Sequence, residues 1–261
     1  EKAVGQEVQL KYPDSGENRS AFVLQNIDDE PGDEAIVFYE STGTVPQTSP
    51  NVHVMVLDKR DGEWVSAGEI VGDGTEVDKI SFGQSSSFGE KFIAIGYSLV
   101  NQTEKILKVY EYQDGELTAG YSQGYSAMEV MDIDMDSDDE LVVISSGAAN
   151  AAAEPMARLV EYESGGFRVK SIAKMDVSVY EYTNIQQGML YPRKTALYLD
   201  GLKGTNVYGT EILYFDKGEL CNAVYSSTLN ITGKTTRTGL RSMDINNDGI
   251  IEIPVSSPML G

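Results

Sequence analysis

Three nine-residue stretches carry the residue types and the spacing that hold a hard cation. DINNDGIIE, residues 244–252, sets Asp244, Asn246 and Asp248 at alternate positions, follows them with Gly249 and closes on Glu252. Oxygen-bearing side chains at positions 1, 3 and 5 of a tight loop converge on one point. A carbonyl at position 7 and an oxygen at position 9 extend that set toward the roughly six to eight oxygens calcium prefers. Here Ile250 offers the carbonyl, and Gly249 permits the sharp turn. DIDMDSDDE, residues 132–140, supplies Asp132, Asp134, Asp136, the Asp138 carbonyl and Glu140 in the same frame, with Ser137 at the glycine position. NIDDEPGDE, residues 26–34, offers Asn26, Asp28, Glu30, the Gly32 carbonyl and Glu34, but Glu30 is longer than the usual ligand and Pro31 stiffens the turn. Carboxylates held within a few Å repel one another unless a cation neutralises them. Structural Ca2+ is therefore the expected cofactor of these loops. A chain this acidic also contains acidic turns for no special reason; recurrence at one structural position is what favours the metal. An EF-hand needs flanking helices and a carboxylate at position 12, where the last stretch has Val255, so that motif is excluded.

The elements that must position these loops are strands. Each stretch is preceded by an apolar-rich segment (FVLQ, MEVM, LRSM) and followed by another (AIVFY, LVVIS, IPVSS). Asn26 and Asp132 stand two steps of about 53 residues apart; the intervening step reaches Lys79, and the next reaches Asn184, where strand-like flanks persist without the acidic ladder. A second feature keeps the same period: DGEW at 61, DGEL at 114, SGGF at 164 and KGEL at 217. Each joins two β-rich segments, the pattern of a hairpin. Four antiparallel strands per repeat of that length is the size of a β-propeller blade. The predicted fold is all-β, a single β-propeller domain over residues 1–261. Its blades lie near 20–70, 77–122, 127–174, 179–227 and 238–261, the last lacking two strands. Two readings stay open: residues 1–19, through GQEVQLKY, supply a strand that closes a small ring, because pairing the ends removes an exposed edge, or the sequence is a fragment of a propeller with more blades.

Composition excludes several partners. With 41 Asp and Glu against 20 Lys and Arg, the net charge of −21 opposes nucleic-acid phosphates and anionic membrane surfaces. No stretch approaches the roughly 20 apolar residues of a membrane-spanning helix. Cys221, the only cysteine, rules out an internal disulfide and reads as a buried thiol. GYSQG at 120–124 matches the GxSxG elbow around Ser122, but the only histidine, His53, lies upstream and no helical segment follows. His53 reads as a surface or packing residue, and Trp64 as packing between blades. No acidic pair is selected for glycoside chemistry, and the chain is expected not to be an enzyme.

At these loops the chain resembles the FG-GAP, or VCBS-type, repeats of integrin-alpha-like β-propellers, whose calcium loops read DxNxDGxxD before a strand. DINNDGIIE departs from that form only in Glu252, DIDMDSDDE matches in part, and the repeats at Lys79 and Asn184 lack it. The Asp-box SxDxGxxW of sialidase-like propellers is absent. LKYPDSGENRSAFVLQNIDD, residues 10–29, is similar to the start of propeller-type lipoproteins of Gram-positive bacteria. That likeness implies an extracellular, cell-surface location and a lipid anchor upstream of residue 1. The variable connections STGTVPQTSPN, SLVNQTEK, SGAANAAAEPM and DGLKGTNVYGT all belong to the face opposite the acidic loops, where recognition usually resides. The expected function is an extracellular binding or adhesion module for a protein or glycan on a calcium-stabilised scaffold. The alternative is a carbohydrate-active propeller, hydrolase or lyase, using a carboxylate outside the repeat loops.

Overall fold

The computed structural model describes residues 7–41, 49–85, 89–100, 105–146, 154–163, 165–204, 207–225 and 240–255. Its fold is all-β, built from propeller-type blades of four antiparallel strands. The first sheet contains β1 (Val8–Leu10), β2 (Phe22–Gln25), β3 (Glu34–Ser41), β4 (His53–Arg60) and β5 (Glu63–Val71). The second runs in chain order through β6 (Glu76–Ser85), β7 (Glu90–Ser98), β8 (Lys105–Gln113) and β9 (Glu116–Tyr125). The third holds β10 (Ala127–Met131), β11 (Glu140–Ser145), β12 (Met156–Glu163) and β13 (Gly166–Lys174); the fourth holds β14 (Glu181–Tyr191), β15 (Lys194–Gly204), β16 (Val207–Asp216) and β17 (Glu219–Asn222). Among the described residues the only helix is the 3-10 turn Ala223–Tyr225.

Turn chemistry explains the outer hairpins. Asp61–Gly62, Asp114–Gly115 and Lys217–Gly218 each place two successive residues at positive φ, between 51° and 88°. That is the type I′ geometry whose twist matches the strands it joins.

The chain forms two compact units, residues 1–125 with 164–167 and residues 126–163 with 168–261, so the first two sheets fall in one and the last two in the other apart from the start of β13. In the first unit Ile36, Phe38, Val54 and Val56 of one sheet share a core with Ile80, Ile93, Ile95 and Tyr97 of the other. In the second, Ile133, Val142, Ile144 and Leu159 pack with Leu197, Leu199 and Leu213. The second strand of each blade is buried on both faces, as in EAIVFY of β3, so it reads as an apolar run rather than an alternation.

Three expectations change. Among the described residues the N-terminal strand joins the first sheet. β1 pairs with β3, Val8 opposite Ser41 and Leu10 opposite Tyr39, while β2 takes only Glu34 to Val37. β3 is longer than β2, and its leftover edge would otherwise expose unpaired backbone groups. Around Lys79 and Asn184 there is no turn at all. Both residues sit inside long strands, whose pairing runs on to Ser85 opposite Glu90 and to Tyr191 opposite Lys194; without acidic residues to bend the chain, the ladder continues. Near residue 245 the described residues form only isolated bridges, Met243 to Glu252 and Met189 to Ile250. The second residue of each acidic loop reports the difference in cover: Ile27 is 3% exposed and Ile133 0%, but Ile245 is 69%. Most of the long variable connections, at 42–48, 101–104, 147–153 and 205–206, lie outside the described residues.

Candidate cation sites

The stretches 26–34 and 132–140 join the first and second strands of their blades, β2 to β3 and β10 to β11, whereas 244–252 is closed by the Met243–Glu252 bridge alone. For residues 132–140 the loop folds around its own carboxylates. Asp132 accepts N–H bonds from Asp136 at 3.1 Å and Ser137 at 3.0 Å; Asp134 accepts from Asp136 at 3.2 Å, and Asp136 from Asp138 at 2.9 Å. Met135 and Ser137 take positive φ, 67° and 77°, so Ser137 adopts the backbone that glycine fills in the related loop. One carboxylate oxygen from each of Asp132, Asp134 and Asp136 lies within 4.8 Å of the others. An all-oxygen donor set of this kind fits a hard cation such as calcium.

The 244–252 loop repeats this frame position by position. Asp244 accepts from Asp248 N–H at 3.1 Å and Gly249 N–H at 2.7 Å; Asn246 Oδ1 accepts from Asp248 at 3.0 Å, and Asp248 from Ile250 at 2.9 Å. Gly249 carries φ 84° and Asn247 φ 60°. The position-9 glutamate has a role the spacing did not reveal. Glu34, Glu140 and Glu252 each accept the N–H of the second loop residue, Ile27, Ile133 and Ile245, at 2.9, 3.0 and 2.9 Å. One oxygen of each thus closes the loop.

Burial pushes Glu140 up to about 8, helped by the charges of Asp134, Asp136 and Glu161 and opposed by the Ile133 N–H. Glu161 of β12 joins Asp134 and Glu140 in a second carboxylate cluster. Lys170 of β13 reaches it, bonding Glu161 and, at 3.3 Å, Asp134 Oδ2. Burial alone would lower the Lys170 ammonium, but those two partners hold it above the ordinary lysine value. Neither residue was signalled by motif spacing, because both arrive from outer strands of the blade.

The 26–34 loop is built differently. Asp28 Oδ1 accepts the Glu30 N–H at 2.8 Å, but Asn26 accepts none of the loop amides that Asp132 and Asp244 hold in theirs; its Nδ2 donates to the carbonyls of Glu30 at 2.8 Å and Gly32 at 2.5 Å. Lys91 of β7 bonds Asn26 Oδ1 and, at 2.5 Å, the Asp28 carbonyl. Beside this loop, within the first unit, lies a cavity of about 540 Å³ lined by Asp28, Glu30, Asp58, Lys91, Glu111 and Tyr112, among others. Burial raises the Glu111 pKa, and the Glu90 charge adds to the shift.

Several other expectations meet the structure here. Ser122 sits within strand β9, opposite Lys108, so no nucleophile elbow exists there. His53 Nδ1 bonds Glu69 at 2.7 Å, the ring stacks on Tyr39 with 4.8 Å between centroids, and the Tyr39 hydroxyl donates to Glu69 at 2.5 Å. Trp64 does not pack between blades: it is 40% exposed, with Lys59 Nζ 5.8 Å from its ring centroid. Cys221 is half-buried rather than buried.

The second unit also buries a carboxylate whose charge depends on pH. Glu211 is fully buried and accepts from Asp176 N–H at 2.8 Å, Tyr182 Oη at 2.7 Å and Asn222 Nδ2 at 2.7 Å. Burial raises its pKa despite these three donors. A folded pKa above the unfolded glutamate value, about 4.3, means the folded state binds the proton more tightly. That stability is present below the unfolded value and is lost as pH rises through the folded one. Urea midpoints of the native chain are thus expected to fall as pH rises from about 4.5 toward 7. Glu211→Gln should flatten the profile by at most about 1.4 kcal/mol per pH unit. Identical slopes for the two proteins would refute this.

No family model matches the chain, and no curated protein does. Three solved structures of similar fold are a rhamnogalacturonan lyase PL11 of Bacillus licheniformis (12% identity, TM-score 0.46), the rhamnogalacturonan lyase YesW (13%, 0.45) and the Dos1 propeller (12%, 0.41). The alignments cover 94%, 95% and 83% of this chain, but only 58%, 59% and 51% of those chains. The chain thus spans little more than half the length of these structures. The expectation that it is not an enzyme does not stand beside two lyases among these neighbours, and it is withdrawn. At these scores the likeness assigns no reaction to this chain.

Proposed function

We propose that this chain is a calcium-braced β-propeller that engages polysaccharide. The observation that carries the calcium part is the convergence of Asp132, Asp134 and Asp136 in a loop whose hydrogen-bond frame recurs at Asp244, Asn246 and Asp248. Calcium sites of extracellular modules hold the ion at roughly 10⁻⁴ to 10⁻³ M. An extracellular, lipid-anchored location and the FG-GAP or VCBS-type resemblance belong to the same reading.

The polysaccharide part is favoured by the cavity beside residues 26–34. Its carboxylates are acceptors for sugar hydroxyls, and Tyr112 adds an aromatic ring. Rhamnogalacturonan, named in two of the neighbouring structures, is the first polymer to test. A polymer of uronate units is anionic, so a chain of charge −21 repels it unless cations screen or bridge the two. Affinity electrophoresis against rhamnogalacturonan and against neutral polysaccharides, with calcium and with EDTA, tests the reading. Retention is expected on at least one polymer, weakened about tenfold by Tyr112→Ala, and on the anionic polymer it should require calcium. Ultraviolet absorbance of unsaturated sugar ends reports whether lyase turnover accompanies retention. No retention and no product on any polymer would overturn the polysaccharide part.

A further inference from the structure

We propose that the 26–34 loop carries its own cation, the Lys91 ammonium, and binds no calcium. A lysine ammonium can only donate hydrogen bonds, and a backbone carbonyl can only accept them. Lys91 Nζ faces Asn26 Oδ1, so the oxygen of that amide must point toward the lysine. Its nitrogen must then face the carbonyls of Glu30 and Gly32, as it does at 2.8 and 2.5 Å. The two assignments enforce each other.

This arrangement uses the groups an ion would need. Gly32 supplies the position-7 carbonyl, and it is already taken by an N–H donor. Position 1 is a neutral amide rather than the aspartate of the other two loops. The positive charge arrives instead from β7 of the second sheet, and its second bond, at 2.5 Å, is to the Asp28 carbonyl. Lys91 therefore also ties the first sheet to the second. No chelator removes a covalently tethered ammonium. The folding stability of the first unit is consequently independent of divalent cations, while the second unit carries both aspartate-led loops. The inference uses those loops for comparison but does not rest on their holding calcium.

Two measurements test it. In the full chain, acetylation of Lys91 by an amine-reactive ester, followed by mass spectrometry, is expected to be about tenfold slower than that of exposed Lys59, because its head is half-buried and engaged. Millimolar calcium should leave that protection unchanged. Equal labelling of the two lysines, or calcium-induced labelling of Lys91, would overturn the proposal. In the second measurement, Asp132→Ala/Asp244→Ala disables the other loops and is expected to bind no calcium by calorimetry. Adding Asn26→Asp and Lys91→Met should then create one site, tightening binding about tenfold or more. A calcium ion held by the double variant and lost on Asp28→Asn overturns the proposal, as does a folded quadruple variant without binding. If the quadruple variant does not fold, the labelling result decides. Calcium binding by none of the loops in the native chain would refute the calcium reading and leave Lys91 protection intact.

Discussion

Asp200→Ala is expected to lower the unfolding free energy of the second unit by about 3–5 kcal/mol, a large part of the roughly 5–15 kcal/mol a domain has. Asp200 lies on β15, 3% exposed. Oδ1 accepts from Thr210 Oγ1 at 2.8 Å and Ser242 Oγ at 2.6 Å; Oδ2 accepts from Ser242 N–H at 2.7 Å and Asn184 Nδ2 at 2.9 Å. Two of these four donors belong to Ser242, which leads directly into the 244–252 loop. The carboxylate therefore fastens that loop to the fourth sheet. Truncation takes the acceptor from three buried donors on Thr210 and Ser242, and one of two acceptors from the half-buried Asn184 amide, and the cost of unmade bonds exceeds the net value of made ones. Asp200→Asn should cost less, because its Oδ1 still accepts while its amide opposes the remaining donors. Urea titrations in saturating calcium check both. An alanine variant within about 1 kcal/mol of the native chain would show that the segment is held by packing of Ile251 alone.

The blade period was legible in the sequence because its turns obey strict backbone rules. Asp61–Gly62, Asp114–Gly115 and Lys217–Gly218 need positive φ at both residues, and few residue pairs tolerate that. The aspartate ladders were legible for a similar reason: alternate carboxylates bend a short segment by capturing its own N–H groups. What could not be read is who meets those ladders from afar. Lys91 is 65 residues from Asn26, and Lys170 is 36 from Asp134. Nothing in their own neighbourhoods distinguishes them from solvated lysines. Asp200 is the same case, since LYLD reads as the end of a strand until its neighbour Ser242 is placed beside it. Asn184 marks the limit of periodicity. It falls one repeat beyond Asp132, yet its side chain serves Asp200 and the Ser242 carbonyl at 2.9 Å instead of a turn.

Removal of calcium should lower the thermal midpoint of the second unit by about 10 °C for each of its aspartate-led loops, about 20 °C for the two, and leave the first unit nearly unmoved. An ion at a hundred times its dissociation constant adds about 2.7 kcal/mol per independent site, and each kcal/mol moves a domain of this size by roughly 4 °C. Both aspartate-led loops lie in the second unit. Destabilisation by EDTA alone does not distinguish a bound ion from general screening, because calcium also shields a chain of charge −21. Asp136→Asn separates the two. Its Oδ1 can still accept the Asp138 N–H that Asp136 takes at 2.9 Å, so the loop keeps its frame. Without calcium the change removes one of three mutually repelling carboxylates and should be neutral or stabilising by up to about 1 kcal/mol. With calcium it removes a charged ligand and should be destabilising by about 1–2 kcal/mol. An effect that changes sign with the ion requires the ion to sit among these carboxylates. An effect of the same sign in EDTA and in calcium would mean the acidic turn is solvated, and the second unit stands on its packing alone.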